Sequence, residues 1–335
     1  MKNNMNKSIK KKILLTEEIH KDAYKKLTEM TQVINAPPPI ASVDELVKIV
    51  REHNIEGIIV RGCTINSEVI KYSPDLKVIV KHGVGYNTID LEYATKKCIP
   101  VFYTPVNSQA IAEHAVGLIY DIVKKISLCD YDIKEKHIWD RTKYNIIELE
   151  SKCLGIIGMG RIGSKVIKLM SPLNMKVLIY DPYVSESEIP EGAILVKDLY
   201  SLLKEVDILS VHCPLTKQTF HLLGEKEFKS MKPGSYVVNT SRGQVIDEAA
   251  LAKALKEGPL AGAALETFEV EPIDFEKNEI IKLDNVVTTP HIAGYAEESL
   301  KRMGFMSVNI ILKVLYGDID EDILQHCLNK SCVKK

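Results

Sequence analysis

One stretch near the middle of the chain restricts the possible folds more than any other. Leu154 to Gly163 reads LGIIGMGRIG, which places Gly158, Gly160 and Gly163 in G-x-G-x-x-G register, directly after an apolar run and at the start of the helical pattern RIGSKVIKLM. A bare glycine triplet is weak evidence. Between a strand and a helix each glycine has its own physical reason: the first makes a tight turn, the second lets the backbone approach a pyrophosphate, and the third lets helix and strand pack closely. The helix that follows offers free N–H groups and the positive end of its dipole to phosphate. The next apolar run, KVLIY, ends at Asp181, 18 residues past Gly163. That is close to the spacing of an acid that bonds a ribose 2′-hydroxyl and repels a 2′-phosphate. Pro182 and Tyr183 come next instead of an arginine. The stretch therefore predicts a dinucleotide site on Gly158, Gly160, Arg161, Ile162, Gly163 and Asp181, with NAD favoured over NADP.

The same alternation of strand and helix patterns runs on both sides of the motif. Upstream, KILLT, TQVIN, GIIVR, KVIVK and IPVFY are separated by stretches such as SVDELVKIVREHN; downstream, CLGIIG is followed by MKVLIY, AILV, DILSV, SYVVN, LAGAAL and NVVTT. Alternation of this kind predicts parallel strands with crossover helices, here two separate sheets of the α/β class. Between them, after the N-cap residues Asn107 and Ser108, QAIAEHAVGLIYDIVKKI predicts a helix of about five turns. A last amphipathic helix is predicted from Glu297 to Tyr316, stopped by Gly317.

Charge narrows the partners. Lys and Arg total 44 against 45 Asp and Glu, so no overall field favours nucleic acid or an anionic membrane, and recognition must be local. The apolar run after the Asn- and Lys-rich start is only Ile13 to Leu15, too short for a signal-peptide core, and no stretch reaches the length of a membrane span. Seven scattered cysteines, none in a CxxC pair, fit reduced thiols better than disulfides, and no His or Cys cluster has zinc spacing. The expectation is a cytoplasmic protein without a metal.

Two segments beyond the glycine motif carry a family resemblance: VVNTSRGQVIDEAAL at 237–251, and GAALETFEVEP at 262–272 followed by TTPHIAGYAEES at 288–299. Together with the motif they closely resemble the D-2-hydroxyacid dehydrogenase family, which includes D-3-phosphoglycerate dehydrogenase, glyoxylate/hydroxypyruvate reductase and D-lactate dehydrogenase. The match runs from about Lys12 to about Gly317. The resemblance implies two Rossmann-like or flavodoxin-like parallel-sheet domains that are nested rather than sequential. An NAD-binding domain (106–296) is inserted in a substrate domain (1–105 plus 297–335). It also implies a homodimer formed largely through the cofactor domains and a small 2-oxo or 2-hydroxy acid as substrate. Because the sequence ends soon after the last predicted helix, no appended regulatory domain like that of the long phosphoglycerate dehydrogenases is expected.

On the same resemblance Arg242 binds substrate, Glu271 is the carboxylate partner of His291, and His291 is the acid/base. Thr240 and Glu266 join the cofactor site; Glu266 stands where the family commonly has Asp toward the nicotinamide. KHGVGYNTID (81–90) resembles the substrate loop, with the Gly83, Val84 and Gly85 amides receiving the substrate carboxylate, and Asn107 matches an Asn before the interdomain helix. Ala293 and Ala296 depart from the Gly and the Thr or Ser common after the catalytic His, and Asn87 from a frequent Asp.

Elementary chemistry supports the central roles independently. Reducing a 2-oxo acid needs a proton donor on the carbonyl oxygen, a cation to orient the substrate and a hydride donor in line. Histidine can donate near neutral pH, and a neighbouring carboxylate fixes its tautomer. Arg242 directly follows SYVVNTS, which places it near the carboxyl end of a strand, the ligand-binding edge of an open parallel sheet. Its planar fork suits a carboxylate. Arg61 and Lys81 each end a strand of the first sheet, and we expect them to hold a distal anionic group such as a phosphate, with a purely structural pair equally compatible. His82, His114 and His212 read as structural or substrate-adjacent. The rival reading is a dinucleotide-sensing corepressor or scaffold on the same fold, which keeps the same three residues but uses long disordered tails that this sequence lacks. A short-chain dehydrogenase is weaker: Tyr120 with Lys124 and Tyr200 with Lys204 fit YxxxK, but the glycine spacing does not. Formate dehydrogenase pairs its His with Gln, unlike Glu271.

Overall fold

A computed structural model describes residues 10–333. The ends of the expected substrate domain, 1–9 and 334–335, lie outside the described residues. The described residues form two compact units, one from residues 10–107 and 296–333, the other from 108–295. The chain thus leaves the first unit, builds the second, and returns.

The first unit is a five-stranded sheet of β1 (Lys12–Leu15), β2 (Gln32–Asn35), β3 (Gly57–Val60), β4 (Val78–Lys81) and β5 (Val101–Tyr103). Their order is β2-β1-β3-β4-β5 and every pair is parallel. Continuous apolar runs form these strands because both faces of the sheet are covered. Leu14, Ile58, Val60 and Ile79 pack on one side with Leu46 and Val50 of the helix Val43–Glu52. Ile13, Leu15, Ile59, Val78 and Val80 pack on the other with Val308 and Ile311 of the helix Glu297–Tyr316. Each such fully buried side chain contributes roughly 1.5–3 kcal/mol. The last helix therefore completes the core of the first sheet although about 190 residues separate it from β5 in sequence.

The second unit is a seven-stranded sheet of β6 (Cys153–Ile157), β7 (Lys176–Tyr180), β8 (Ala193–Leu195), β9 (Ile208–Val211), β10 (Ser235–Asn239), β11 (Leu260–Leu265) and β12 (Val286–Thr288). The order is β12-β11-β10-β9-β6-β7-β8, again all parallel. The winding reverses between β6 and β9, and open α/β sheets bind ligands at the carboxyl ends of the strands at such a reversal.

The expected five-turn helix is shorter than its apolar pattern. It spans Ser108–Lys124 and stops where Lys125 turns left-handed (φ 58°); a second helix, Ile126–Lys134, follows. Asp121 accepts from the Ser127 amide (2.8 Å) and from its hydroxyl, so a side chain reaching forward supplies the cap that starts the second helix. Among the described residues no helix is long and apolar enough to cross a membrane.

Candidate active site

The glycine-rich turn leaves β6 at the reversal of the second sheet. Gly158 has φ +91°, and a Cβ there would lie 2.7 Å from the Cys213 amide nitrogen, in the loop after β9. A Cβ on Gly163 would lie 2.2 Å from the Gly158 carbonyl oxygen, so helix and turn are in closest contact there. Gly160 is different: a Cβ would meet no protein atom within 4 Å. Internal packing does not require a glycine at 160, and a backbone approached by a pyrophosphate does. Ile162 immediately precedes the helix Gly163–Met170, and Arg161 is exposed on the turn. The Asp181 carboxylate, one residue past β7, accepts from the Met159 amide (2.9 Å) and from the Tyr183 amide (2.9 Å). It is thereby held beside the turn where a ribose would follow the pyrophosphate. These residues fit NAD.

Thr240 follows β10 and its hydroxyl lies 3.3 Å from Nδ1 of His212, whose Nε2 is 2.9 Å from the Ser210 hydroxyl. Burial pushes the His212 pKa down to about 4, so this ring is neutral and braces the loop. His82 in the first unit is similar: buried, 3.2 Å from the Ser307 hydroxyl, and pushed down to about 3 by burial, with Arg61 adding to the shift.

Arg242, Glu271 and His291 converge although they lie on three different loops. The Asn239 side chain shapes the first, accepting from the Ser241 amide (2.9 Å) and hydroxyl (2.8 Å) and donating to the Arg242 carbonyl (3.0 Å). The Arg242 guanidinium donates to the Ser241 carbonyl at 2.7 Å. Burial lowers its pKa and Glu271 opposes that shift. Glu271 accepts from the Phe268 amide at 2.9 Å and lies 2.7 Å from Nδ1 of His291 through its other oxygen. Burial pushes the Glu271 carboxyl up, but His291, the Phe268 amide and Arg242 together hold it below the usual carboxylate range. An ionised Glu271 keeps the proton of the neutral ring on Nδ1 and turns Nε2 to the reaction side. The His291 side chain is 46% exposed, so that nitrogen is open to a substrate oxygen.

Three predicted site residues, Glu266, Gly83 and Lys81, take partners within the chain. The Glu266 carboxylate is 1% exposed and bonds inward, accepting from the Thr289 hydroxyl and the Ala293 amide and lying 3.3 Å from Nε2 of His114. Its two oxygens are thus engaged with the His291 loop and with His114. The Gly83 amide donates to the Thr104 hydroxyl at 2.7 Å. Lys81 is 6% exposed and donates to the Arg61 carbonyl and to the Thr88 hydroxyl (3.4 Å), a structural role. Beside it the Glu17 carboxylate accepts from the amides of Arg61 (3.0 Å), Gly62 (2.5 Å) and Cys63 (2.7 Å), so the turn after β3 already holds an anion of its own chain. The YxxxK candidate Tyr200 donates to Glu227 at 2.5 Å, and Asn107 immediately precedes the helix Ser108–Lys124. Thr289 was not singled out by the sequence, and Ala293 only as a departure from the family's glycine; their positions two residues either side of His291 are the signal that marks them.

Comparison with known proteins identifies the family. Residues 116–293 match the model of the D-isomer specific 2-hydroxyacid dehydrogenase, NAD binding domain. The chain is 38% identical over 308 residues to D-3-phosphoglycerate dehydrogenase of Archaeoglobus fulgidus, covering 91% of this chain and 58% of that one. It therefore spans about three fifths of the length of that relative. It is 37% identical to glyoxylate reductase of Thermofilum pendens, with 92% of each chain covered. Among solved structures, D-lactate dehydrogenase from Aquifex aeolicus complexed with NAD and lactic acid superposes with a TM-score of 0.82 at 29% identity, covering 95% of this chain and 99% of that one. The chain belongs to the D-isomer specific 2-hydroxyacid dehydrogenase family and carries its NAD-binding domain.

Proposed function

We propose that this chain catalyses reversible, NAD-dependent reduction of a small 2-oxo acid to the D-2-hydroxy acid. The observation that carries the reading is the His291–Glu271 contact of 2.7 Å beside Arg242, all within the unit that holds the glycine turn. NADH, when bound, supplies the hydride to C2. His291 gives its Nε2 proton to the carbonyl oxygen as negative charge develops there, and in reverse takes the alcohol proton. Glu271, held anionic, stabilises the protonated ring and fixes its orientation. Arg242, always charged, binds the carboxylate and carbonyl of the acid. For substrate binding in the first unit the proposal assigns the Val84 and Gly85 amides and Asn107. Arg61 remains the one candidate for a distal anion. Glyoxylate, hydroxypyruvate and phosphohydroxypyruvate are the first substrates to assay.

His291→Ala is expected to lower turnover of the best 2-oxo acid about a hundred- to ten-thousand-fold while NADH affinity stays within about twofold of wild type. Cofactor affinity collapsing in step with turnover would refute the assigned role. A wild-type chain that binds NADH yet turns over no 2-oxo acid would favour a sensing protein. The proposal includes a homodimer, consistent with the exposed apolar side chains of Ile126, Tyr131, Ile133, Trp139 and Ile146 in the second unit; sedimentation as a monomer would exclude it. It also includes a cytoplasmic setting, in keeping with seven unpaired cysteines.

A further inference from the structure

The loop that carries His291 is held by one residue at three alternate positions. The Glu266 carbonyl accepts from the His291 amide at 3.1 Å. One oxygen of the Glu266 carboxylate accepts from the Thr289 hydroxyl, and the other from the Ala293 amide. His114, from the helix Ser108–Lys124, closes the arrangement: its Nε2 lies 3.1 Å from the Thr289 hydroxyl and 3.3 Å from the Glu266 carboxylate. His291 itself adopts φ +54°, a left-handed conformation that a non-glycine residue keeps only where its surroundings over-determine it. A buried carboxylate is costly unless fully hydrogen-bonded. Burial pushes the Glu266 carboxyl up, but His114, Thr289 and the Ala293 amide hold it below its usual range, so the group is an anion at neutral pH with its acceptors directed at the loop.

From this geometry we infer that Glu266, braced by His114, is a positioning residue that clamps the loop from Thr289 to Ala293 and so holds His291 in register with Glu271. An aspartate on the same backbone reaches one methylene less far and cannot bond both Thr289 and Ala293 from the same place. Glu266 acts on the reaction through His291. The inference rests on the acid/base role proposed for His291.

The test compares Glu266→Ala and Glu266→Gln with wild type, using kcat and KM for the best 2-oxo acid, NADH affinity by fluorescence titration, and the ring-nitrogen NMR shifts of His291 in the cofactor-free protein. A shift of the imidazole by about 1 Å costs on the order of a hundredfold in rate. Glu266→Ala is therefore expected to lower kcat about a hundredfold, leave NADH affinity within about twofold, and move the His291 ring-nitrogen shifts away from those of a ring held by Glu271. Glu266→Gln keeps an acceptor for the Ala293 amide and is expected to recover most of both the rate and the NMR signature. NADH affinity falling in step with kcat while the His291 shifts stay unchanged would overturn the inference in favour of a cofactor contact. Unchanged kcat and unchanged shifts would overturn it outright. If Glu266→Ala fails to fold, Thr289→Val removes one bond of the clamp and is read in the same way. A failure of the His291 role is seen separately: His291→Ala would then retain turnover, while the NMR shifts of the Glu266 variants still report the clamp.

Discussion

Gly160 and Gly163 belong to the same ten-residue motif, yet the structure predicts opposite consequences for adding one carbon to each. A Cβ on Gly160 meets no protein atom within 4 Å, and its backbone is not in the left-handed region. Gly160→Ala should therefore fold normally, and restricting the unfolded chain should stabilise it by about 0.4–1 kcal/mol. The added methyl occupies the side from which a pyrophosphate approaches, and overpacking of that order costs about 1–3 kcal/mol. NADH should bind about 5- to 150-fold more weakly. A Cβ on Gly163 would stand 2.2 Å from the Gly158 carbonyl oxygen, a backbone atom with no rotamer to yield, so the helix must move away from the turn. Gly163→Ala should lose about 1–3 kcal/mol of folding stability and weaken NADH as well. NADH fluorescence titration and thermal melts on both variants separate the two effects. The reasoning fails if Gly160→Ala lowers Tm as much as Gly163→Ala, or if it leaves NADH affinity within about twofold.

Two further outcomes are expected. Asp181→Ala removes the carboxylate that would bond the ribose 2′-hydroxyl and repel a 2′-phosphate, so NADH affinity should fall and the NADH:NADPH preference relax by about tenfold; an unchanged preference would refute the assignment. His82 and His212 are held neutral, with folded pKa values of about 3 and about 4 against an unfolded value of 6.5. Because both folded values are depressed, the unfolded chain binds protons more readily, and stability is lost as pH falls below the unfolded value. Between pH 7 and pH 5 each ring should account for about 2 kcal/mol of that loss. Urea unfolding of His212→Gln should show about 2 kcal/mol less acid sensitivity than wild type, and an identical drop would contradict the neutral ring.

The strands were legible because of how the sheets are covered. In a parallel sheet packed on both faces the central strands are nearly continuous apolar runs, so KVIVK or SYVVN stands out between turn residues without any knowledge of its neighbours. The glycine motif was legible because its spacing follows from local backbone sterics, and the last helix because its apolar stripe and Gly317 are also local. The break at Lys125 was not, since the apolar pattern continues through it and the cap that restarts the helix comes from Asp121, six residues before Ser127.

The sequence by itself determined the fold class, the dinucleotide turn and the identity of Arg242, Glu271 and His291 as candidates, since residue type and order carry that information. Only the tertiary structure decided which way their neighbours face. That His291 lies 2.7 Å from Glu271, that Glu266 is turned onto the His291 loop, that the Gly83 amide is engaged by Thr104 and that the Lys81 ammonium is buried against the Arg61 carbonyl all depend on bonds between residues distant in the chain. A charged or donor group at a loop has several partners within reach of its flexible side chain. Which one it takes is settled by burial, because an unpaired polar group inside the protein costs more than any local preference can return.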